Sequence, residues 1–336
     1  MTSQQLKNSI LQMAVQGKLV PQDPNDEPAS VLLERIRAEK QELIKQGKIK
    51  KEKNPSYIFK GPDNNPYEKI GDNEPVCIAD EVPFEIPESW EWVRWGTLSE
   101  SIQYGYNAPA KESGRIKMVR ISDIQGNNVL WDSVPYCEIN EEDIDTYLLK
   151  KNDILFARTG GTVGKSFLVS YIPEDAVYAG YLIRTRYNRR LNSKYLKLFM
   201  ESELYWKQLR NGTIATAQPN CNGKTLGNML VPLPPEQEQH RIVSKIEELL
   251  PYITEYEKAE NNLTALNTAF PDQLKKSILQ QAVQGKLVPQ NPNDEPASVL
   301  LERIRAEKQE LIKAGKIKKD KNESVIFKRD NSHYEL

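Results

Sequence analysis

The residues Arg158 to Ser166, RTGGTVGKS, have the texture of a phosphate-binding loop. Such a loop needs a glycine, four free positions and then Gly-Lys-Ser/Thr, so that backbone N–H groups wrap a phosphate at the mouth of a helix. Gly164, Lys165 and Ser166 fit, but Thr159 stands where the first glycine belongs. The flanks weigh more: Phe167 to Ile172 (FLVSYI) is β-branched and aromatic where an amphipathic helix would start, and Asp153 to Ala157 (DILFA) also reads as a strand. The segment is therefore expected to be a glycine-rich loop between two strands. Other chemistry is poorly supplied. His240 and His333 are the only histidines, and Cys77, Cys137 and Cys221 match no metal or redox spacing, which disfavours a zinc site or a histidine-based triad.

The elements that position this loop sit in a chain of 336 residues, enough for two or three units that each bury a core. Charge is dense but balanced, 46 basic against 47 acidic residues, so affinity for nucleic acid must come from local clustering. The cysteine usage fits a reducing cytoplasm. The N-terminal MTSQQLKNSILQMAVQGKLV lacks the features of a signal peptide, and no later run has the span of a membrane helix, so a cytoplasmic protein is expected.

The most informative feature is internal. QLKNSILQMAVQGKLVPQDPNDEPASVLLERIRAEKQELIKQGKIKKEKN, from Gln5, returns from Gln273 with few changes, and over Gln4 to Lys60 roughly 49 of 57 positions are identical. Units separated by some two hundred other residues cannot stack as a solenoid does. They read as two copies of a frame around one variable cargo. Each copy has a helix ending at Gly17 or Gly285, a short connection, and a second helix that starts near Asn25, Asp26 and Pro28 and carries Val31, Leu32, Ile36, Leu43 and Ile44 until Gly47. Its charged face, ERIRAEKQE, is expected to be solvated, and the KIKKEKN and KIKKDKN tails could reach a phosphate or stay in water. Before the second copy, Ile242, Ile246, Leu249, Ile253, Tyr256 and Leu263 step by fours and threes, the seam of a helix–helix pair that needs a partner. Pro251 and Pro271 are expected to kink or interrupt that rod, which would measure about 70 Å from Glu236 to Gln284 at 1.5 Å per residue. The divisions are 1–68 for the first frame, 69–84 for a linker, 85–235 for the cargo, 236–271 for the spacer helix and 272–336 for the second frame.

The cargo reads as an α/β domain. WEWVRWGTLSE, MVRISDI, DILFARTG, KSFLVSY and AGYLIRTRY look like strands, and Ser193 to Arg210 like one helix capped by serine. Arg184, Arg186, Arg189, Arg190, Lys194, Lys197, Lys207 and Arg210 form a local basic excess, which suits a DNA face or an equally ordinary salt-bridged surface. Three polar loops offer amides, hydroxyls and cations for base edges and phosphates. The candidate DNA-binding residues are Gln103, Tyr104, Tyr106 and Asn107 in the first loop, Arg158, Thr159, Gly160, Gly161, Thr162 and Lys165 in the second, and Gln218, Asn220 and Lys224 in the third, with Arg184 and Arg186 from the basic cluster.

The frames and the junctions PFEIPESWEWVRWGTL and LPPEQEQHRIVSKIEELL resemble the specificity subunit of type I restriction–modification systems, over essentially the whole chain. The most specific element is the exit from the cargo, where Gln218, Asn220, Leu226, Leu230, Leu233, Pro234, Pro235, Glu238, Gln239, Arg241, Ile242 and Val243 follow the family pattern. DILFARTGGTVGK resembles the family's strand and glycine loop within a target recognition domain. The resemblance implies a non-catalytic reader of double-stranded DNA with an α/β target recognition domain, long α-helices forming an antiparallel coiled-coil spacer, and a repeated helical region at both termini. It implies docking to the modification (methyltransferase) and restriction (endonuclease/translocase) subunits, with S-adenosylmethionine, ATP and magnesium held by those partners. NNPY at Asn64 to Tyr67 is the only trace of an amino-methyltransferase motif and lacks its second proline, so a polar linker is expected there.

The chain departs from the family in carrying one recognition domain where the usual member has two. A half-subunit that dimerises, a truncated product and a silent cassette all fit this, and a plain coiled-coil adaptor is a further alternative. For the dimerising form, the seam would bury itself against the same helix of a second chain in an antiparallel homodimer, apart from the recognition domain's core, and the target would be an interrupted palindrome.

Overall fold

The computed structural model describes residues 1–212, 221–319, 324–330 and 332–335. Two compact units divide the chain, Met1–Asn262 and Leu263–Leu336.

In the first unit the N-terminal frame begins with the helix Ser3–Val15. Thr2 starts it with a capping box, its hydroxyl accepting from the Gln5 N–H while the Gln5 side chain accepts from the Thr2 N–H. Gly17 ends it at φ +70°, a left-handed conformation that costs glycine nothing. The second helix, Ala29–Lys45, follows Pro28, buries Ala29, Leu32, Leu33 and Ile36, and stops before Gly47 at φ +68°. Its charged face is only partly left to solvent: Glu34, Arg35 and Glu42 are exposed, but Glu39 accepts from Asn188 and Arg190, Lys40 reaches Glu52 and the Gly96 carbonyl, and the Arg37 guanidinium lies 4.5 Å over the Tyr57 ring. Glu52 and Tyr57 belong to the same repeat copy, whereas Asn188, Arg190 and Gly96 lie outside it, and the repeat alone could not reveal those. NNPY is a hairpin turn and no linker. It joins Ser56–Lys60 to Pro66–Ile70, with Asn64 at φ +62° and the Asp63 carboxylate accepting from the Asn65 amide and the Tyr67 hydroxyl.

At the centre of this unit a four-stranded antiparallel sheet runs in the spatial order Ser166–Leu168, Ile154–Ala157, Leu182–Tyr187, Ser99–Tyr104. Ile154, Phe156 and Ile183 turn one face to a core shared with the N-terminal frame, and Leu155, Phe167 and Leu182 turn the other to a second cluster, as alternation along strands requires. Among the named strands of the described residues, only Ala176–Tyr178 and Ile116–Val119 pair in parallel. The region is thus mostly antiparallel strands with helices packed beside them, rather than the alternating crossovers of a parallel α/β sheet. The single helix expected over Ser193–Arg210 is two, Ser193–Glu201 and Glu203–Gly212. The cap is Asn192, whose side-chain oxygen accepts from the Lys194 and Tyr195 N–H groups, and the break falls at Ser202, buried with its hydroxyl bonded to the Phe199 carbonyl.

The exit from this region is a polar lock inside an apolar core. Glu238 is fully buried and accepts from the Trp90 indole N–H at 2.8 Å and from the Gln22 amide. Gln239, equally buried, accepts from the Asn192 N–H and donates to the Pro234 carbonyl, while Arg241 holds Asp26 with both terminal nitrogens. These bonds fasten the start of a long helix, Glu236–Val283, to the N-terminal frame. The helix runs through Pro251 and Pro271 without interruption, because each proline removes one N–H bond and the flanking turns keep theirs. Its seam is also used differently from expectation. Ile242 and Ile246 are buried in the unit's own core beside Val243, so seam and core are not separate there. Leu249 and Ile253 are half-buried, the Tyr256 hydroxyl donates to the Met1 carbonyl, and Leu263 is exposed.

In the second unit the repeat forms the same elements: the helix end at Val283, Gly285 at φ +68°, the helix Ala297–Lys313 and the hairpin Ile326–Arg329 with Ser332–Glu335. Burial differs sharply. Leu32 and Ile36 are 2% and 1% exposed, whereas their counterparts Leu300 and Ile304 are 51% and 50% exposed.

Candidate nucleic-acid interface

The registers of the four-stranded sheet place Tyr104 opposite Ile183, Leu182 opposite Ala157 and Phe156 opposite Ser166. Four strand termini therefore meet at one end of the sheet, carrying Tyr104, Arg158, Lys165 and Tyr181. The loop RTGGTVGKS is the hairpin connection there. It is closed by N–H donation from Gly164 to the Ala157 carbonyl at 2.8 Å and from Ala157 to the Lys165 carbonyl at 2.9 Å, with a 3-10 turn over Gly160–Thr162 between them. Gly160 at φ +78° and Gly164 at φ +81° need glycine for the backbone path; a Cβ on Gly164 would also strike the Leu209 side chain. Thr159 and Thr162 are half-buried, and Gly161 and Lys165 are exposed.

Arg158 is pinned on both sides: its N–H donates to the Tyr181 carbonyl at 3.0 Å and its carbonyl accepts from the Cys221 N–H at 2.9 Å. Its guanidinium lies 4.6 Å over the Tyr104 ring, and its Nε is buried without a hydrogen-bond partner. The Tyr104 hydroxyl in turn accepts from the Gly223 N–H at 3.1 Å, which brings in the short helix Gly223–Gly227 with Lys224 exposed on it. Asn222 caps that helix through the Thr225 N–H. Burial pushes the Cys221 thiol up to about 11, which keeps it neutral and unreactive at ordinary pH. Next along the chain, Gly105 approaches the backbone of Tyr178 and Ala179 so closely that a Cβ would lie 2.2 Å from the Ala179 carbonyl oxygen. Tyr106 is half-buried with its ring 5.1 Å from that of Tyr147, and Asn107 is exposed. Tyr181, 65% exposed, was not singled out from the sequence; Gly180 just before a strand start was the available signal.

Other expected members are placed elsewhere. Arg184 is 1% exposed and spends its guanidinium on the Leu148 and Thr146 carbonyls, the Gln103 side chain and Asp153. Gln103 is thereby turned to an internal bond. Arg186 lies towards the opposite end of the strand, opposite Ser101, and bonds Asp153 at 3.3 Å and the Leu148 carbonyl at 2.9 Å. Burial pushes the Asp153 carboxyl up against the opposing pull of both arginines, and burial lowers Arg184. Both guanidinium groups are thus engaged inside the fold. The basic excess around them is largely answered: Arg190 by Glu39 and Lys194 by Glu247, both remote in sequence, and Lys197 by Glu201 four residues on. A sequence window cannot show the remote partners. Gln218 and Asn220 lie outside the described residues.

No helix among the described residues is long and apolar enough to cross a membrane. Residues 87–265 match the family model described as the type I restriction modification DNA specificity domain. The chain is 33% identical over 369 residues to the type I restriction enzyme EcoAI specificity subunit of Escherichia coli, covering 94% of this chain and 57% of that protein. The EcoEI specificity subunit of the same organism gives 33% over 370 residues with the same coverage. The HsdS subunit of Thermoanaerobacter tengcongensis, a solved structure, aligns with 17% identity and a TM-score of 0.43 over 77% of this chain and 56% of that one. The chain thus spans a little over half the length of the curated relatives it matches. On the family match over more than half its residues, the chain belongs to the type I restriction–modification DNA specificity family.

Proposed function

We propose that the chain is a non-catalytic, sequence-specific DNA-recognition subunit of a type I restriction–modification complex, with residues 85–235 as its recognition domain. The observation that carries this is the convergence of Arg158, Tyr104, Lys165 and Lys224 at one end of a rigid sheet; among the described residues none of their side chains pairs with a carboxylate. Cations free of acids suit phosphates and base edges, and a sheet end holds loops firmly enough for direct readout. Thr159, Gly160, Gly161 and Thr162 form the tip that approaches the duplex, flanked by Tyr106 and Asn107, with Gln218 and Asn220 in the third loop. The names of the relatives support the same reading, since they are specificity subunits of type I restriction enzymes.

In this reading the modification and restriction subunits dock on the helical parts and hold S-adenosylmethionine, ATP and magnesium. A second copy supplies the other half-site, joined through the exposed apolar residues of the long helix, so that the paired chains read an interrupted palindrome. Exposure of Leu263, Leu266 and Phe270 favours that pairing. Electrophoretic shift with random and selected duplexes, with and without modification subunits, tests the function. A preferred sequence is expected, and uniform binding to every duplex in both conditions would refute it.

A further inference from the structure

We infer that Arg158 is a guanine-reading residue, a specificity determinant held in place by Tyr104; this rests on the DNA-reading function proposed above. What marks Arg158, among the described residues, is a guanidinium that lies over an aromatic ring and makes no ion pair or hydrogen bond. Arg184 and Arg186 share Asp153, Arg190 holds Glu39, and Arg94 holds Glu68 and Glu81. Arg158 instead lies 4.6 Å over the Tyr104 ring, with its Nε buried and unbonded. Its backbone is fixed at both N–H and carbonyl, and the Tyr104 hydroxyl is fixed by the Gly223 N–H at 3.1 Å.

A guanidinium lying against an aromatic ring has its plane set and presents its N–H groups in that plane, two abreast. In the major groove guanine alone offers two acceptors side by side, O6 and N7; adenine pairs an acceptor with a donor, cytosine offers a donor, and thymine one acceptor beside a methyl group. A phosphate needs charge without a fixed plane, which the exposed and unstacked Lys165 and Lys224 supply. Because the Arg158 guanidinium has no acceptor among the described residues to give up, binding a base edge breaks none of their hydrogen bonds.

The test is selection of duplexes from a randomised library by the full chain, followed by anisotropy measurements on the selected duplex. Wild type should enrich guanine at a defined position. Arg158→Ala and Arg158→Lys should each lose roughly 10- to 100-fold of guanine-over-adenine discrimination at that position alone. Their unchanged preference elsewhere in the site would show that the domain is folded. Tyr104→Leu should lose discrimination at the same position, as a positioning residue must. Substituting 7-deazaguanine there should weaken wild type about tenfold and leave Arg158→Ala unmoved, since only the N7 acceptor is gone. Variants of Arg158 that select the wild-type sequence, or that weaken all sequences equally, would overturn the inference alone; a wild type without any preference would overturn the DNA-reading function and the inference with it.

Discussion

Glu68 joins the N-terminal hairpin to the strand Glu91–Arg94 through one carboxylate. It is 5% exposed, accepts from the Ser56 hydroxyl and from two nitrogens of Arg94, and Arg94 also reaches Glu81. Burial pushes its carboxyl up, but the bonds from Arg94 and Ser56 outweigh burial and hold it below the usual glutamate range. A folded-state value below the unfolded one of about 4.3 gives stability that is present above that value and lost as pH falls through the folded value. Glu68→Gln should therefore cost about 1.5 to 3 kcal/mol in urea unfolding at neutral pH, the range for hydrogen bonds to a charged group. The gap to wild type should narrow in acid, and a gap that stays constant with pH would count against this role. Gly105 is a second sensitive position. A Cβ there would press on two backbone carbonyl oxygens at 2.2 and 2.4 Å, which cannot rotate away as a side chain can. Gly105→Ala should destabilise by about 1 to 3 kcal/mol in thermal denaturation, the range for overpacking, and it should weaken sequence discrimination, because Tyr104 is its neighbour.

At the scale of elements, alternation and glycine placement were legible in advance, and long-range partners were not. RTGGTVGKS could be placed between strands because DILFA and FLVSYI carry β texture on both sides, and both strands are present and paired. Gly17, Gly47 and Gly285 could be read as helix stops because the left-handed turn leaves a glycine in the sequence. By contrast, Asp153 precedes its own strand and meets Arg184 and Arg186 on the neighbouring one, so a window centred on the arginines sees only excess charge. The break at Ser202 likewise comes from a buried hydroxyl bond with no local pattern to announce it. The long helix is legible as a helix, but Pro251 and Pro271, which predict a kink or a break, do not interrupt it. They still exact a local cost: Pro251 sits on the exposed side of a continuous helix, and Pro251→Ala should raise unfolding stability, with an upper bound of about 3 kcal/mol from helix propensity. A fall in stability, measured by denaturant titration, would mean that the proline sets a needed bend.

At the scale of the whole molecule, one repeated sequence meets two environments, and under the proposed two-chain reading the bare copy marks where a second chain would sit. In the first unit Leu11, Val15, Leu32, Leu33 and Ile36 enter a core with Trp90, Ile242 and Ile246. In the second, the counterparts Leu279, Val283, Leu300, Leu301 and Ile304 are 50% or more exposed, as are Leu263, Leu266 and Phe270 on the long helix. Residues chosen for burial in one copy and left bare in the other make self-association the economical way to remove apolar surface from water. The distribution along the helix fixes which substitutions separate assembly from folding. Ile246→Asp places a charge in the shared core and should unfold the first unit, because an isolated buried carboxylate has no partner there. Leu263→Asp combined with Phe270→Asp changes only exposed positions and should leave the far-ultraviolet circular dichroism and the DNA half-site preference intact while abolishing the pair. Sedimentation velocity at micromolar concentration then decides: wild type should sediment at twice the chain mass and the double variant at the single mass. A wild type that stays monomeric, alone and with modification subunits, would refute the two-chain reader of an interrupted palindrome, and a double variant that still pairs would move the interface off the long helix and onto the bare face of the second repeat.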